Sequence, residues 1–417
     1  MGDQMAEQDQ QFVIVGASLA GVKAAETLRD EHFPGTIVLI GAEDELPYDR
    51  PPLSKGALKG EDEYETTRHH DEQWYADRQV ELRLGTRVEA VDLAGHTVSV
   101  EGGEPVRYDK LLLATGSQPR RLDVPGADLE GVRYLRTFTD SRALHDAFAE
   151  QPRVVVVGAG WIGLETAAAA RQAGCEVTVV EPQETALASV LGPEVGQIYA
   201  DLHVEHGVTF RFGEGVEEIV GDGRVTGVRT SGGATVDADL VIVGVGVVPD
   251  VALAEAAGLD VDGGIVCDES LQTSDPDVYA AGDVAVWFNP LLGYRLRVEH
   301  WANAHDGGQT VARAMLGQPV VHDVVPFFWS DQYDAGMEYA GHVHPDRGYQ
   351  RVVLRGDVDK REFMAFWLSD DFVLAGMHVN VWDTIDAVQD LIRASAPVDP
   401  AKLADPDVPL DQVTASP

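Results

Sequence analysis

The chain has 417 residues, 44% of them apolar, enough for two or three domains with buried sheets. It carries 31 Lys+Arg against 70 Asp+Glu, a net charge of −39, and such a surface repels phosphate backbones and anionic lipid, which argues against nucleic acid or membrane partners. Its two cysteines, Cys175 and Cys267, are far apart and outside any Cys-x-x-Cys or Cys/His cluster, which argues against a disulfide framework, a structural zinc site or a cysteine-ligated iron–sulfur cluster.

The first residues, Met1 to Gln11, are acidic and polar, with Met5 a candidate native start. No secretory pattern appears, and no apolar run approaches the roughly 20 residues that span a bilayer. The expected compartment is therefore the cytoplasm. Phe12-Val-Ile-Val-Gly16-Ala17-Ser18-Leu19-Ala20-Gly21 reads as a strand, a glycine-rich turn and a helix that continues through Arg29. Ile37–Ile40 reads as the next buried parallel strand. Ser18 stands where a dinucleotide fingerprint has its middle glycine; it is small, and its hydroxyl can bond a phosphate. Glu43, just past the second strand, is the candidate for a ribose. Tyr108 to Gly116, ending Ala114-Thr115-Gly116, closes this copy.

Arg153-Val-Val-Val-Val-Gly158-Ala-Gly160-Trp161-Ile162-Gly163-Leu-Glu165 repeats the design with all three glycines, and its alanine-rich helix runs toward Gly174. The first glycine makes the tight turn, the second lets backbone approach a pyrophosphate, and the third allows close helix–strand packing. Val177–Val180 is the next strand, and Glu181 ends it, where an acid bonds a ribose 2′-hydroxyl. Pro182, Gln183 and Glu184 follow without a cation for a 2′-phosphate, so NADH is expected over NADPH. The competing reading is that Glu181 simply ends a strand in solvent. Ala238 to Gly246, ending Gly244-Val245-Gly246, closes the second copy.

Residues 320–388 change texture to aromatic-rich alternating runs, such as Gln350–Arg355 and Glu362–Leu368, which read as an antiparallel sheet. The tail after Ser395 is rich in Pro, Asp and Ala and reads as loosely attached. The expected architecture is α/β: a discontinuous FAD domain at 8–117 and 247–320, an NAD domain at 118–246, a C-terminal α+β domain at 321–395, and a tail at 396–417. Two dinucleotide sites suggest a tightly held FAD and an exchanging NADH. Hydride transfer between them needs orientation and electrostatics rather than an acid–base residue. The His69-His70 pair, His203 and His206 read as solvated surface histidines.

Asp49-Arg50-Pro51-Pro52-Leu53-Ser54-Lys55 resembles the NADH-dependent ferredoxin reductases of oxygenase systems. The likeness continues through Ala114–Gly116, Tyr134–Thr137, Gly158–Glu165, Thr273–Asp283, Glu299–Asn303 and Phe327–Gln332, essentially the whole chain. The wider fold resembles glutathione reductase. The resemblance implies that Arg50 lies near the FAD pyrophosphate, and that Lys55 lies by the flavin's reactive edge, paired with a Glu165 that touches the nicotinamide. It implies that Val88 and Arg136 lie toward the adenosine end, that Asp283 accepts from the ribitol chain, and that Trp301 and Trp329 border the flavin ring. Read from the residues alone, Trp329 is equally a packed aromatic, and Lys55 with Glu165 a surface ion pair. Relatives of this wider fold that reduce disulfides or peroxides carry a redox cysteine near the flavin, and residues 41–59 contain none. The expected acceptor is thus an iron–sulfur ferredoxin taking single electrons, and the protein a monomer or weak homodimer. An NADH oxidase or quinone reductase, and an NADH-sensing signalling flavoprotein, are the competing readings. Arg295, Arg297 and Arg313 are the candidate basic patch for the ferredoxin, the competing reading being that they balance neighbouring acids.

Overall fold

The structure, a computed structural model, describes residues 9–415; the candidate start at Met5 lies outside them. The chain folds as two compact units, one from residues 9–49, 64–118 and 248–326, the other from 50–63, 119–247 and 327–415.

The first unit is built on a five-stranded parallel sheet in the order Val278–Ala280, Lys110–Leu113, β1 (Gln11–Val15), Thr36–Ile40, Val80–Arg83. Its central strands are continuous apolar runs because both faces are covered, and Val13, Ile14, Leu111 and Leu112 are fully buried. Helix α1 (Leu19–Asp30) follows β1 and packs against the helix Trp301–Met315. A three-stranded antiparallel sheet, Val88–Asp92, Thr97–Val100 and Val106–Arg107, completes this part of the core.

The second unit repeats the plan. Its parallel sheet runs Thr209–Phe212, β3 (Glu176–Glu181), β2 (Arg153–Val157), Leu240–Val243, Val132–Arg133. Helix α2 (Trp161–Gln172) follows β2, and α3 (Ala188–Glu205), kinked at Gly192, follows β3. The antiparallel sheet expected near the C-terminus is present and has five strands, in the order β4 (Phe327–Gln332), Ala335–Gly341, Phe372–Val379, Glu362–Ser369, Arg351–Asp357. It does not stand apart as a separate body. Met337, Trp367 and Met377 share one buried cluster with Leu164, Ala167 and Tyr199 of the dinucleotide-binding half, and the Trp367 indole N–H donates to the Leu191 carbonyl at 3.0 Å.

Two boundaries differ from the sequence expectation. Residues 50–63, expected inside the first domain, belong to the second unit: Leu58 lies in its core, Ser141 Oγ donates to the Leu53 carbonyl at 2.8 Å, and His145 Nδ1 meets the Leu58 carbonyl at 3.0 Å. The tail is also not loose. Its polar composition hides three apolar anchors, Val398, Leu403 and Val413, all essentially inaccessible. The Arg355 guanidinium donates to the carbonyls of Leu403, Asp405, Pro406 and Val408 at 2.6–3.3 Å. Asp399 caps the short helix Pro400–Ala404 by accepting from Ala401 N–H at 2.9 Å. Among the described residues no helix is long and apolar enough to cross a membrane.

The tail should therefore melt with the body that carries it. Leu403→Ala leaves a cavity costing about 2–4 kcal/mol, and thermal unfolding followed by circular dichroism should show a clearly lowered midpoint. A variant that melts like the parent would place the tail outside the cooperative unit.

Candidate active site

In the first unit, β1 ends at Gly16, whose φ is +115°; a Cβ there would lie 2.1 Å from the Ala114 carbonyl oxygen, so only glycine fits. Ala17 and Ser18 make the turn, with Ser18 at the N-cap of α1, and Leu19, Ala20 and Gly21 form the helix's first turn. Ala114-Thr115-Gly116 leaves the neighbouring strand, with Thr115 Oγ1 donating to the Asp250 carbonyl at 2.7 Å. Glu43 follows the second strand and accepts from the Tyr48 hydroxyl at 2.5 Å. Asp283 opens the turn after the last strand and accepts from Ser117 Oγ at 2.7 Å. These residues lie at the carboxyl ends of parallel strands, at the reversal of strand order where such sheets hold dinucleotides. The glycine turn, a helix N-terminus and a carboxylate beyond the second strand fit FAD. Val88 lies at the start of its antiparallel strand, opposite Val100 and packed on the core. Trp301 begins its helix, donates to Asp49 Oδ1 at 2.6 Å and stacks on His305 with ring centroids 5.0 Å apart.

The second unit holds the complete fingerprint. β2 runs into Gly158 and Gly160, and Trp161 and Ile162 open α2 ahead of Gly163. A Cβ on Gly160 would meet nothing within 4 Å, so the backbone here faces open room that a pyrophosphate can enter. Glu181 ends β3, and its carboxylate bonds to the turn itself, accepting from Ala159 N–H at 2.7 Å and Gln183 N–H at 2.9 Å. It is thus held beside the glycines rather than lost in solvent. Arg211, on the adjoining strand, is engaged with Glu214 at 2.9 Å. Gly244-Val245-Gly246 follows the strand Leu240–Val243. This set fits NAD, with a carboxylate and no offered guanidinium at the ribose position.

Lys55 and Glu165 meet in the same unit. Glu165, in α2, is 4% exposed. Its carboxylate accepts from Lys55 Nζ at 2.8 Å, Ser54 Oγ at 2.5 Å and Ser330 Oγ at 2.6 Å. The pair is therefore shielded on its carboxylate side, with Lys55 partly buried, unlike the exposed ion pairs that contribute little. A carboxylate out of water costs several kcal/mol unless paired and hydrogen-bonded, and three donors supply that here. Ser54 and Ser330 carry no motif in the sequence; their only signals are adjacency to Lys55 and a place within Phe327–Gln332. Arg50 donates to the Arg136 carbonyl at 2.5 Å, and Arg136 N–H donates to Asp140 at 3.1 Å. Trp329 lies on β4 opposite Glu338, its ring centroid 6.2 Å from that of Phe327. Burial pushes the neighbouring Asp331 carboxyl up, and Lys55 pulls it the other way.

Several polar residues differ from expectation. His203 is fully buried, and the side chains of His69 and His70 are only 6% and 19% exposed. Helix α3 turns His203 inward, and His70 stacks on Trp74 at 3.7 Å. His206 is exposed, with its ring stacked on Tyr333. The candidate basic patch is largely neutralised: Arg297 pairs with Glu299 at 2.6 Å, Arg313 pairs with Glu31 at 2.9 Å, and Arg295 donates to the Cys267 carbonyl. Cys175 and Cys267 are buried, and burial pushes both thiols up, Cys267 to about 12, unlike a reactive thiolate.

Residues 10–308 match the family model described as pyridine nucleotide-disulphide oxidoreductase, and residues 327–414 match a reductase C-terminal model. The ferredoxin–NAD(+) reductase component of the anthranilate 1,2-dioxygenase system of Burkholderia cepacia is 42% identical, the match covering 96% of this chain and 98% of that one. The chain belongs to the ferredoxin–NAD(+) reductases of this family. Rhodocoxin reductase of Rhodococcus erythropolis is 39% identical over 96% of the reductase described here and 93% of its own length. Putidaredoxin reductase, solved in covalent complex with putidaredoxin, superposes with a TM-score of 0.93 at 36% identity, covering 97% of this reductase and 98% of that chain.

Glu181→Ala should weaken NADH binding and relax the preference over NADPH by about tenfold or more, because a bond to a charged group is worth about 1.5–3 kcal/mol. Dissociation constants for both nucleotides check this; unaltered selectivity would remove Glu181 from the ribose.

Proposed function

We propose that this reductase oxidises NADH, held at Gly158–Gly163, Glu181 and Gly244–Gly246, with an FAD held at Gly16–Gly21, Glu43, Ala114–Gly116 and Asp283. The electrons pass singly to an iron–sulfur ferredoxin that serves an oxygenase. FAD, when bound, supplies the conversion from a two-electron hydride donor to a one-electron acceptor.

The observation that carries this reading is the pair formed by Lys55 with the buried Glu165 of the helix that follows the complete fingerprint. As the family resemblance implies, Lys55 would set its positive charge by the flavin's reactive edge and favour the reduced, anionic form, and Glu165 fixes where that ammonium points. Arg50 offsets the pyrophosphate charge. Arg136, Val88, Trp301 and Trp329 border the cofactor as the family resemblance implies. Neither cysteine is placed or ionised as a thiol relay would be, which leaves the flavin itself as the exit for electrons. The family names support a ferredoxin as acceptor. The protein acts in the cytoplasm as a monomer or weak homodimer. With Arg297 and Arg313 engaged by acids, ferredoxin docking relies on cations other than those two.

The purified protein should be yellow, with one FAD per chain. Lys55→Met should slow flavin reduction by NADH about ten- to a hundredfold while leaving FAD bound. Stopped-flow absorbance and flavin content measure the two effects separately, and a variant reduced at the parental rate would take Lys55 out of the reaction. Reduced enzyme should pass electrons to its ferredoxin much faster than to oxygen or quinone; the opposite order would make it an oxidase or quinone reductase.

A further inference from the structure

The bonds around Glu165 continue inward. Ser330 and Gln332 are two residues apart on β4, so both point to the same buried face, and each is 1% exposed. Gln332 Nε2 donates to Ser330 Oγ at 3.1 Å, and Gln332 Oε1 lies 2.8 Å from Nε2 of the buried His203 on α3. His203 Nδ1 has no hydrogen-bond partner. Burial holds the imidazole neutral, pushing it down to about 4.

These contacts give the chain one direction. A neutral imidazole has a single N–H, and it belongs on Nε2, where an amide oxygen accepts it. With its oxygen so engaged, Gln332 presents its amide N–H to Ser330. The Ser330 oxygen then accepts, and its only hydrogen is left for Glu165 Oε1, 2.6 Å away. Every donor from His203 onward points toward the carboxylate. Ser330 shares Oε1 with Lys55, so it acts on the same oxygen that holds the ammonium.

We propose that Ser330 is a positioning residue for the Lys55–Glu165 pair, and that Gln332 and His203 fix the direction of its hydroxyl. This rests on the reading that the pair serves hydride transfer. Without the Ser330 hydrogen, the carboxylate is freer to rotate about its side chain, and Lys55 swings with it. The C-terminal sheet thereby acts on the Lys55–Glu165 pair through a side chain of its first strand.

The test uses FAD-loaded reductase carrying Ser330→Ala, Ser330→Thr or Gln332→Met. Three quantities are measured: the limiting rate of flavin reduction at saturating NADH, the NAD+ dissociation constant by titration calorimetry, and the rate at which trinitrobenzenesulfonate labels Lys55, read by peptide mass. Ser330→Ala should lower the limiting rate about tenfold, the loss expected for a bond to a charged group. It should leave the NAD+ dissociation constant within about twofold, a split that general loosening of the fold would not give. Lys55 labelling should quicken severalfold, and Ser330→Thr, which keeps the hydroxyl, should restore both rate and labelling. Gln332→Met should move both in the same direction by less, and it decides the matter if Ser330→Ala does not fold. Parental rate and labelling in either folded variant, or a threonine variant that behaves like the alanine one, would overturn the proposal. Glu165→Gln separates the two levels. If it reduces flavin at the parental rate, the catalytic reading of the pair falls, while Lys55 labelling still reports whether Ser330 holds it.

Discussion

One carboxylate with almost no access to water constrains the second unit. Glu165 is 4% exposed, and an ionised group so buried is tolerated only if donors converge on it. Those donors come from residues 54–55 and residue 330, on opposite sides of it in sequence. Residues 50–63 must leave the first unit to deliver two of them, and β4 must pack against α2 to deliver the third. The departures of the fold from a simple pair of consecutive dinucleotide domains follow this need. The segment 50–63 is an excursion between two stretches of the first unit, and the C-terminal sheet shares its core with α2 and α3 instead of standing alone.

Around this centre the chemistry divides between fixed backbone and placed charge. The turn at Gly158–Gly163 offers a helix N-terminus and, at Gly160, open room for a phosphate, in a chain of net charge −39. Glu181 bonds into its own turn, so that the end of β3 and the glycine turn are held by the same contacts. With Glu165 almost out of water, its charge is less screened than a surface charge, and a small displacement there has a larger electrostatic effect.

Much of the fold was legible in the sequence because it rests on periodicity and on glycines with steric reasons to be there. The runs at Phe12, Ile37, Arg153 and Val177 became central parallel strands, and the alternation in 350–368 became two antiparallel ones. Local pattern could not reveal which distant stretches share a core. The tail reads as polar, yet Val398, Leu403 and Val413 anchor it, since three anchors at such uneven spacing give no period. His203 reads as solvated because it lies in a polar, helix-like stretch, and only the rotation of α3, which leaves Val204, Glu205 and His206 exposed, turns it inward. Arg297 and Arg313 read either as a docking patch or as cations balancing nearby acids, and pattern alone does not choose, because one acid, Glu299, is two residues away and the other, Glu31, lies far along the chain. Ser54 and Ser330 stand for a general difficulty: a hydroxyl becomes significant through what it faces, and facing is a property of tertiary structure.

The way the second unit is stitched together also bears on how such reductases can evolve. Lys55, Glu165 and Ser330 lie on three separated stretches of one chain. A single recombination crossover anywhere between residues 55 and 330 gives Glu165 at least one partner from a different parent. Shuffling between distant relatives would therefore bring together contacts never selected as a set. Lineages of this architecture are expected to diverge by point substitution along the whole length rather than by exchange of ends.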